Sequence, residues 1–110
     1  MDLNKFIADW IAVGNKYDTD KWLSFFHPDA LLDDPSVGRK FTGHAGIRDY
    51  FERYFIGFKT KTKLVKVTPA LQGAFVEVAF TGDFPGCKLA GSFDIILTGE
   101  KISFVEADLK

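Results

Sequence analysis

At 110 residues the chain has room for one hydrophobic core and no second domain (1–110), and its one cysteine, Cys87, excludes an internal disulfide. Basic and acidic side chains balance to a net charge of −1, so no global field supports a nucleic-acid or membrane partner. Hydrophobic residues make up 46% and aromatic residues 15%, mostly phenylalanine, a surplus over what so small a core can bury; it is expected to line a cavity, form a subunit interface, or both.

The start, Met1-Asp2-Leu3-Asn4-Lys5, lacks the basic flank and apolar run of a secretory leader. No apolar stretch nears the ~20 residues that span a bilayer, so a cytoplasmic protein is expected. The first predicted element is a helix capped by Asp2, with Leu3, Phe6, Ile7, Trp10, Ile11 and Val13 in one stripe and a stop at Gly14-Asn15. A second helix, capped by Asp18 or Thr19, carries Trp22, Leu23, Phe25 and Phe26 and ends at His27-Pro28. Ala30–Asp34 reads as a short strand running into a turn at Pro35, and Ser36–Lys40 as a loop or narrow hairpin.

Thr42-Gly43 opens a third helix, with Ile47, Tyr50, Phe51, Tyr54 and Phe58 on one face and Arg48/Glu52 and Asp49/Arg53 as ion pairs on the other. From Lys59 the hydrophobic period changes to two. Lys59–Val67, Ala74–Thr81, Lys88–Thr98 and Ile102–Leu109 are predicted strands, joined by connections short enough for an antiparallel meander. The expected class is α+β, with three N-terminal helices covering one face of a curved antiparallel sheet.

Asp33-Asp34-Pro35 carries the first candidate chemistry. Adjacent strand residues point to opposite faces, so one of the two carboxylates can look into the domain. There, desolvation would make it a usable general base. The competing reading is an Asp that simply begins a turn before proline, and the tripeptide by itself favours it. Asp94 stands in Ser92-Phe93-Asp94-Ile95-Ile96-Leu97, where alternation groups it with Ala90, Ser92 and Ile96, away from the more apolar face; by pattern it lies outside. His27 and His44 lack metal-ligand spacing, so no metal site is expected. Lys59, Lys61 and Lys63 suit an edge strand protected from sheet-to-sheet pairing.

Two stretches then stand together: Phe25-Phe26-His27-Pro28-Asp29-Ala30-Leu31-Leu32-Asp33-Asp34-Pro35 and Gly43-His44-Ala45-Gly46-Ile47-Arg48-Asp49-Tyr50-Phe51. They resemble the SnoaL-like and ketosteroid-isomerase-like families of the nuclear transport factor 2-like superfamily. The resemblance implies a cone-shaped fold around a deep apolar pocket, no metal or organic cofactor, and a homodimer formed through the sheet. It makes Asp34 the base that moves a proton beside a carbonyl, and Asp94 a protonated partner of the developing oxyanion, as in the ketosteroid isomerase site, where an apolar environment keeps a carboxylic acid neutral. By that implication Asp94 moves into the pocket. The family's oxyanion tyrosine aligns with Trp10, and its supporting tyrosines with Phe26 and Phe51, which carry no hydroxyl; Tyr50 falls at an apolar pocket position. Phe6, Trp22, Val105, Ala107 and Leu109 are further expected pocket residues. Three functions follow as expectations: isomerase, cyclase or dehydratase chemistry on a small apolar carbonyl compound, binding of an apolar ligand without turnover, or a dimeric interaction domain.

Overall fold

The computed structural model describes residues 1–109. Helix α1, Leu3–Asn15, begins where Asp2 accepts a hydrogen bond from the Lys5 N–H, the cap expected from the sequence. Helix α2, Thr19–Leu23, is capped in the same way by Asp18 through the Lys21 N–H. It is shorter than predicted. Both the amide and the hydroxyl of Ser24 turn back onto Lys21 O, and Phe26 already begins strand β1, Phe26–Asp34. Pro28 is tolerated inside this strand because β1's register with its neighbour is interrupted between Phe26 and Leu31. The predicted loop or hairpin after Pro35 is a hairpin: β2, Arg39–Thr42, pairs back on β1 from Leu31 to Asp34.

Helix α3, Gly43–Phe51, changes into a wider π turn at Glu52–Ile56. That turn inserts Phe55 into the core and leaves Phe58 38% exposed, so the predicted apolar face rotates past Phe51. Thr60 fastens the exit, its N–H on Phe55 O at 2.8 Å and its hydroxyl on Tyr54 O at 3.0 Å. Strand β3 therefore starts at Lys61, two residues later than predicted, and runs to Ala70. It is followed by β4 (Gly73–Thr81), β5 (Lys88–Thr98) and β6 (Lys101–Leu109).

These strands form a six-stranded sheet in the order β2-β1-β6-β5-β4-β3. The predicted meander occupies β3 to β6, and β1 joins it in parallel alongside β6. Lys61 and Lys63 stand exposed on the β3 edge. The sheet's inner face presents Val76, Val78, Phe93, Ile95, Ile102 and Val105, all buried, to α1, α2 and α3. At the centre Trp22 stacks on Phe51 at 4.3 Å and on Trp10 at 5.8 Å. Among the described residues no helix is long and apolar enough to cross a membrane.

Candidate ligand pocket

Asp34 is the last residue of β1, and strand alternation turns it to the inner face with Ala30 and Leu32 while Asp33 faces out. The next residues form a turn closed by Val37 N–H on Asp34 O and by Gly38 N–H on Pro35 O. Within that turn the Ser36 N–H, at 2.9 Å, and its hydroxyl, at 2.5 Å, both donate to Asp34 Oδ1. From α3 the Tyr50 hydroxyl donates to Oδ2 at 2.7 Å. A carboxylate offers about four acceptor positions, so three are filled and one, on Oδ2, is left for a visitor. Asp34 is 6% exposed and Tyr50 4%. Burial, and then the negative charge of Asp34, hold the Tyr50 phenol well above its ordinary pKa, so it remains a donor.

This dyad closes the polar end of a cavity of about 310 Å³, which is also bounded by Val37, Thr60, Leu89, Ala107 and Leu109 and, at its rim, the exposed Asp108. Six aromatic rings stand in the wall: Tyr50, Tyr54, Phe55, Phe58, Phe80 and Phe84. The rings support one another in sequence, Tyr50–Tyr54 at 5.4 Å, Tyr54–Phe58 at 6.3 Å, Phe58–Phe84 at 6.4 Å, and Phe55–Phe80 at 6.1 Å. The aromatic surplus of the sequence is thus divided between the core stack and this wall.

Of the residues expected in the pocket, Asp34, Tyr50, Ala107 and Leu109 meet there. Trp10, Trp22 and Val105 belong instead to the core, at 1%, 3% and 0% exposure. Trp10 Nε1 is buried with no hydrogen-bond partner among the described residues, its ring packed steeply against Phe26 and Phe93 and absent from the cavity lining, so the indole does not replace an oxyanion tyrosine there. Phe6 packs edge-on against Phe25 at 5.3 Å and is not among the residues that line the cavity. Asp94 is corrected most sharply. Phe93 and Ile95 are buried on the inner face, so Asp94 points outward and is exposed, as the strand pattern by itself indicated.

Ser36, Tyr54, Phe55, Phe80, Phe84 and Leu89 were not anticipated as pocket residues. For Ser36 and Tyr54 signals existed: Asp-Pro-Ser is an Asx-turn sequence, and Tyr54 lies one helical turn after Tyr50. His27 and His44 are held by backbone carbonyls, on Thr98 O and Phe26 O. Among the described residues no group of three His, Cys, Asp or Glu side chains is arranged to hold a metal ion.

The SnoaL-like domain model matches residues 7–109, and the chain belongs to that family. No curated protein matches the sequence. Among solved structures, a candidate polyketide cyclase from Sinorhizobium meliloti superposes with a TM-score of 0.87 at 21% identity, over 97% of this chain and 96% of that one. A protein of ketosteroid-isomerase-like fold from Catenulispora acidiphila, in complex with trimethylamine, gives 0.82 at 17% identity, over 93% and 82%. The epoxide hydrolase/cyclase-like enzyme SalBIII of salinomycin pyran-ring formation gives 0.83 at 19% identity, over 97% and 89%. The fold is the nuclear transport factor 2-like one, a curved, open sheet wrapped around helices.

Proposed function

We propose that the chain binds a small, largely apolar compound in the cavity and that Asp34 takes a proton from it, in a cofactor-free isomerisation, cyclisation or dehydration beside a carbonyl. The observation that carries this reading is the placement of Asp34: a buried carboxylate with one open acceptor position at the polar end of an otherwise apolar cavity. Tyr50 and Ser36 orient it, so the proton is accepted at Oδ2. A base in this geometry contributes typically about 10²–10⁴-fold to rate. Solvent-deuterium exchange into small apolar ketones, followed by NMR, tests it. Wild type is expected to exchange the α-hydrogens of at least one such ketone, and Asp34→Asn to lose about 10²-fold or more with affinity retained. Exchange no faster than in buffer across the panel sinks the base.

A second reading, a pocket that holds its ligand without turnover, draws on two observations. Asp94 and Trp10, the residues expected to steady an enolate, lie outside the cavity lining. The Catenulispora acidiphila relative of the fold is in complex with a small amine, trimethylamine. We also propose that the chain works in the cytoplasm as a homodimer joined through the outer face of the sheet.

A further inference from the structure

We infer that the cavity selects a hydrophobic ammonium ion, its cationic head at Asp34 and its apolar body among the aromatic rings. The inference rests on the cavity being the ligand site, which both readings above share, and not on turnover.

The argument begins with a count of donors. Around the buried carboxylate the hydroxyl protons are already committed: Ser36 and Tyr50 donate to Asp34, and Thr60 donates to Tyr54 O. Among the residues lining the cavity only the Tyr54 hydroxyl has no assigned acceptor. Although the Tyr54 hydroxyl is an uncommitted donor on the wall, what the carboxylate cluster itself shows a ligand is a set of lone pairs, on Asp34 Oδ2, Tyr50 Oη and Ser36 Oγ. A carbonyl oxygen or an anion placed there meets acceptors; a donor or a cation meets partners.

Charge points the same way. Among the described residues the lining contains the buried carboxylate of Asp34 and no Lys, Arg or His. A buried carboxylate without a counter-charge is costly, and a ligand that supplies the charge recovers that cost. Tyr50, kept protonated by burial and by Asp34, donates a hydrogen bond to the carboxylate but brings no counter-charge. The wall supplies a second attraction. Tyr50, Tyr54, Phe55, Phe58, Phe80 and Phe84 place ring faces and edges around a volume of about 310 Å³, at the small end of ligand sites. Aromatic faces attract desolvated alkylammonium heads, and most strongly where water is excluded.

Two isosteres separate charge from shape: trimethylanilinium, and tert-butylbenzene, which has the same heavy-atom frame without the charge. Both are titrated into the full chain and followed by the ¹H–¹⁵N signal of Ser36 and the ring signals of Tyr50 and Tyr54, with benzoate as the anionic control. The cation is expected to bind at least tenfold tighter than tert-butylbenzene and to move those signals; benzoate is expected to leave them in place. In Asp34→Asn the preference should collapse toward unity. Equal or tighter binding of tert-butylbenzene by wild type overturns the inference and leaves the cavity as an apolar site. Binding of neither isostere removes the ligand-site reading along with it. The wild-type pair decides the matter even if the Asn variant folds poorly.

Discussion

Asp34 begins a turn and faces a cavity with the same side chain, because the Asx geometry that closes the turn uses only Oδ1 and leaves Oδ2 to Tyr50. The turn and the inward-facing carboxylate coexist in one side chain, and the tripeptide could not reveal this since the deciding partner is 16 residues away. Tyr50 is the residue whose role changes most, from apolar lining to donor. Tyr50→Phe removes a hydrogen bond to a buried charge and is expected to cost about 1.5–3 kcal/mol at neutral pH, measured by urea denaturation. The pH dependence follows from burial and the Asp34 charge, which raise the folded pKa above the unfolded value of about 10. Between those two values the unfolded chain has released a proton that the folded chain keeps. The Tyr50 contribution is then whole below about pH 10 and falls as pH rises through that window. Wild type should lose stability above pH 10 more steeply than Tyr50→Phe; parallel curves would mean that the phenol titrates freely.

Two element boundaries are concealed in the sequence, and the second of them shapes the pocket wall. Phe25 and Phe26 continue the helical stripe of α2, yet Phe26 leaves it to pair with Ile102 in the sheet, a long-range competitor that local periodicity cannot register. The π turn after Phe51 follows the same logic: a uniform 3.6 period predicts Tyr54 and Phe58 inside, while the wider turn brings Phe55 in and sends Phe58 to the cavity rim. The four C-terminal strands, by contrast, were legible from alternation and from the turns at 82–86 and 99–100, although Pro69, Ala70 and Gly73, expected in a connection, pair in the sheet. One strand glycine held a further signal. Gly91 lies beneath the ring of Phe80, and a Cβ there would collide with that ring and stand 3.0 Å from Asp108 O. Phe80 in turn lines the cavity between Phe55 and Phe93. Gly91→Ala is expected to cost about 1–3 kcal/mol by overpacking. It should also shift the Phe80 ring signals and weaken ligand binding, seen by thermal denaturation and NMR. An unchanged Phe80 environment would show that the strand, not the ring, yields.

At the scale of the molecule the inner face of the sheet is committed to core and cavity, which leaves the outer face to explain. There the register aligns Leu31, Phe104 and Ile96 across β1, β6 and β5 in one apolar row, with Ile96 40% exposed. Two residues further along, Asp33, Glu106 and Asp94 stand opposite one another in a row of like charge. Carboxylates directly opposed across strands repel. Neither row was visible in the sequence, since each is assembled from three strands and one of them, β1, joins through an unpredicted parallel pairing. The apolar row supports the proposed homodimer, and the acidic row would set the salt dependence of such an interface. If two outer faces meet, salt screens the repulsion between their carboxylates and association should strengthen as ionic strength rises. Ile96→Arg adds a charge at the exposed β5 end of the apolar row and should yield a monomer whose cavity still binds as wild type does, because Ile96 points away from it. Sedimentation velocity over a concentration series checks both outcomes. A wild-type chain that sediments as a monomer at every concentration and salt level rules out the outer face as a dimer interface, and leaves the pocket to be completed within one chain.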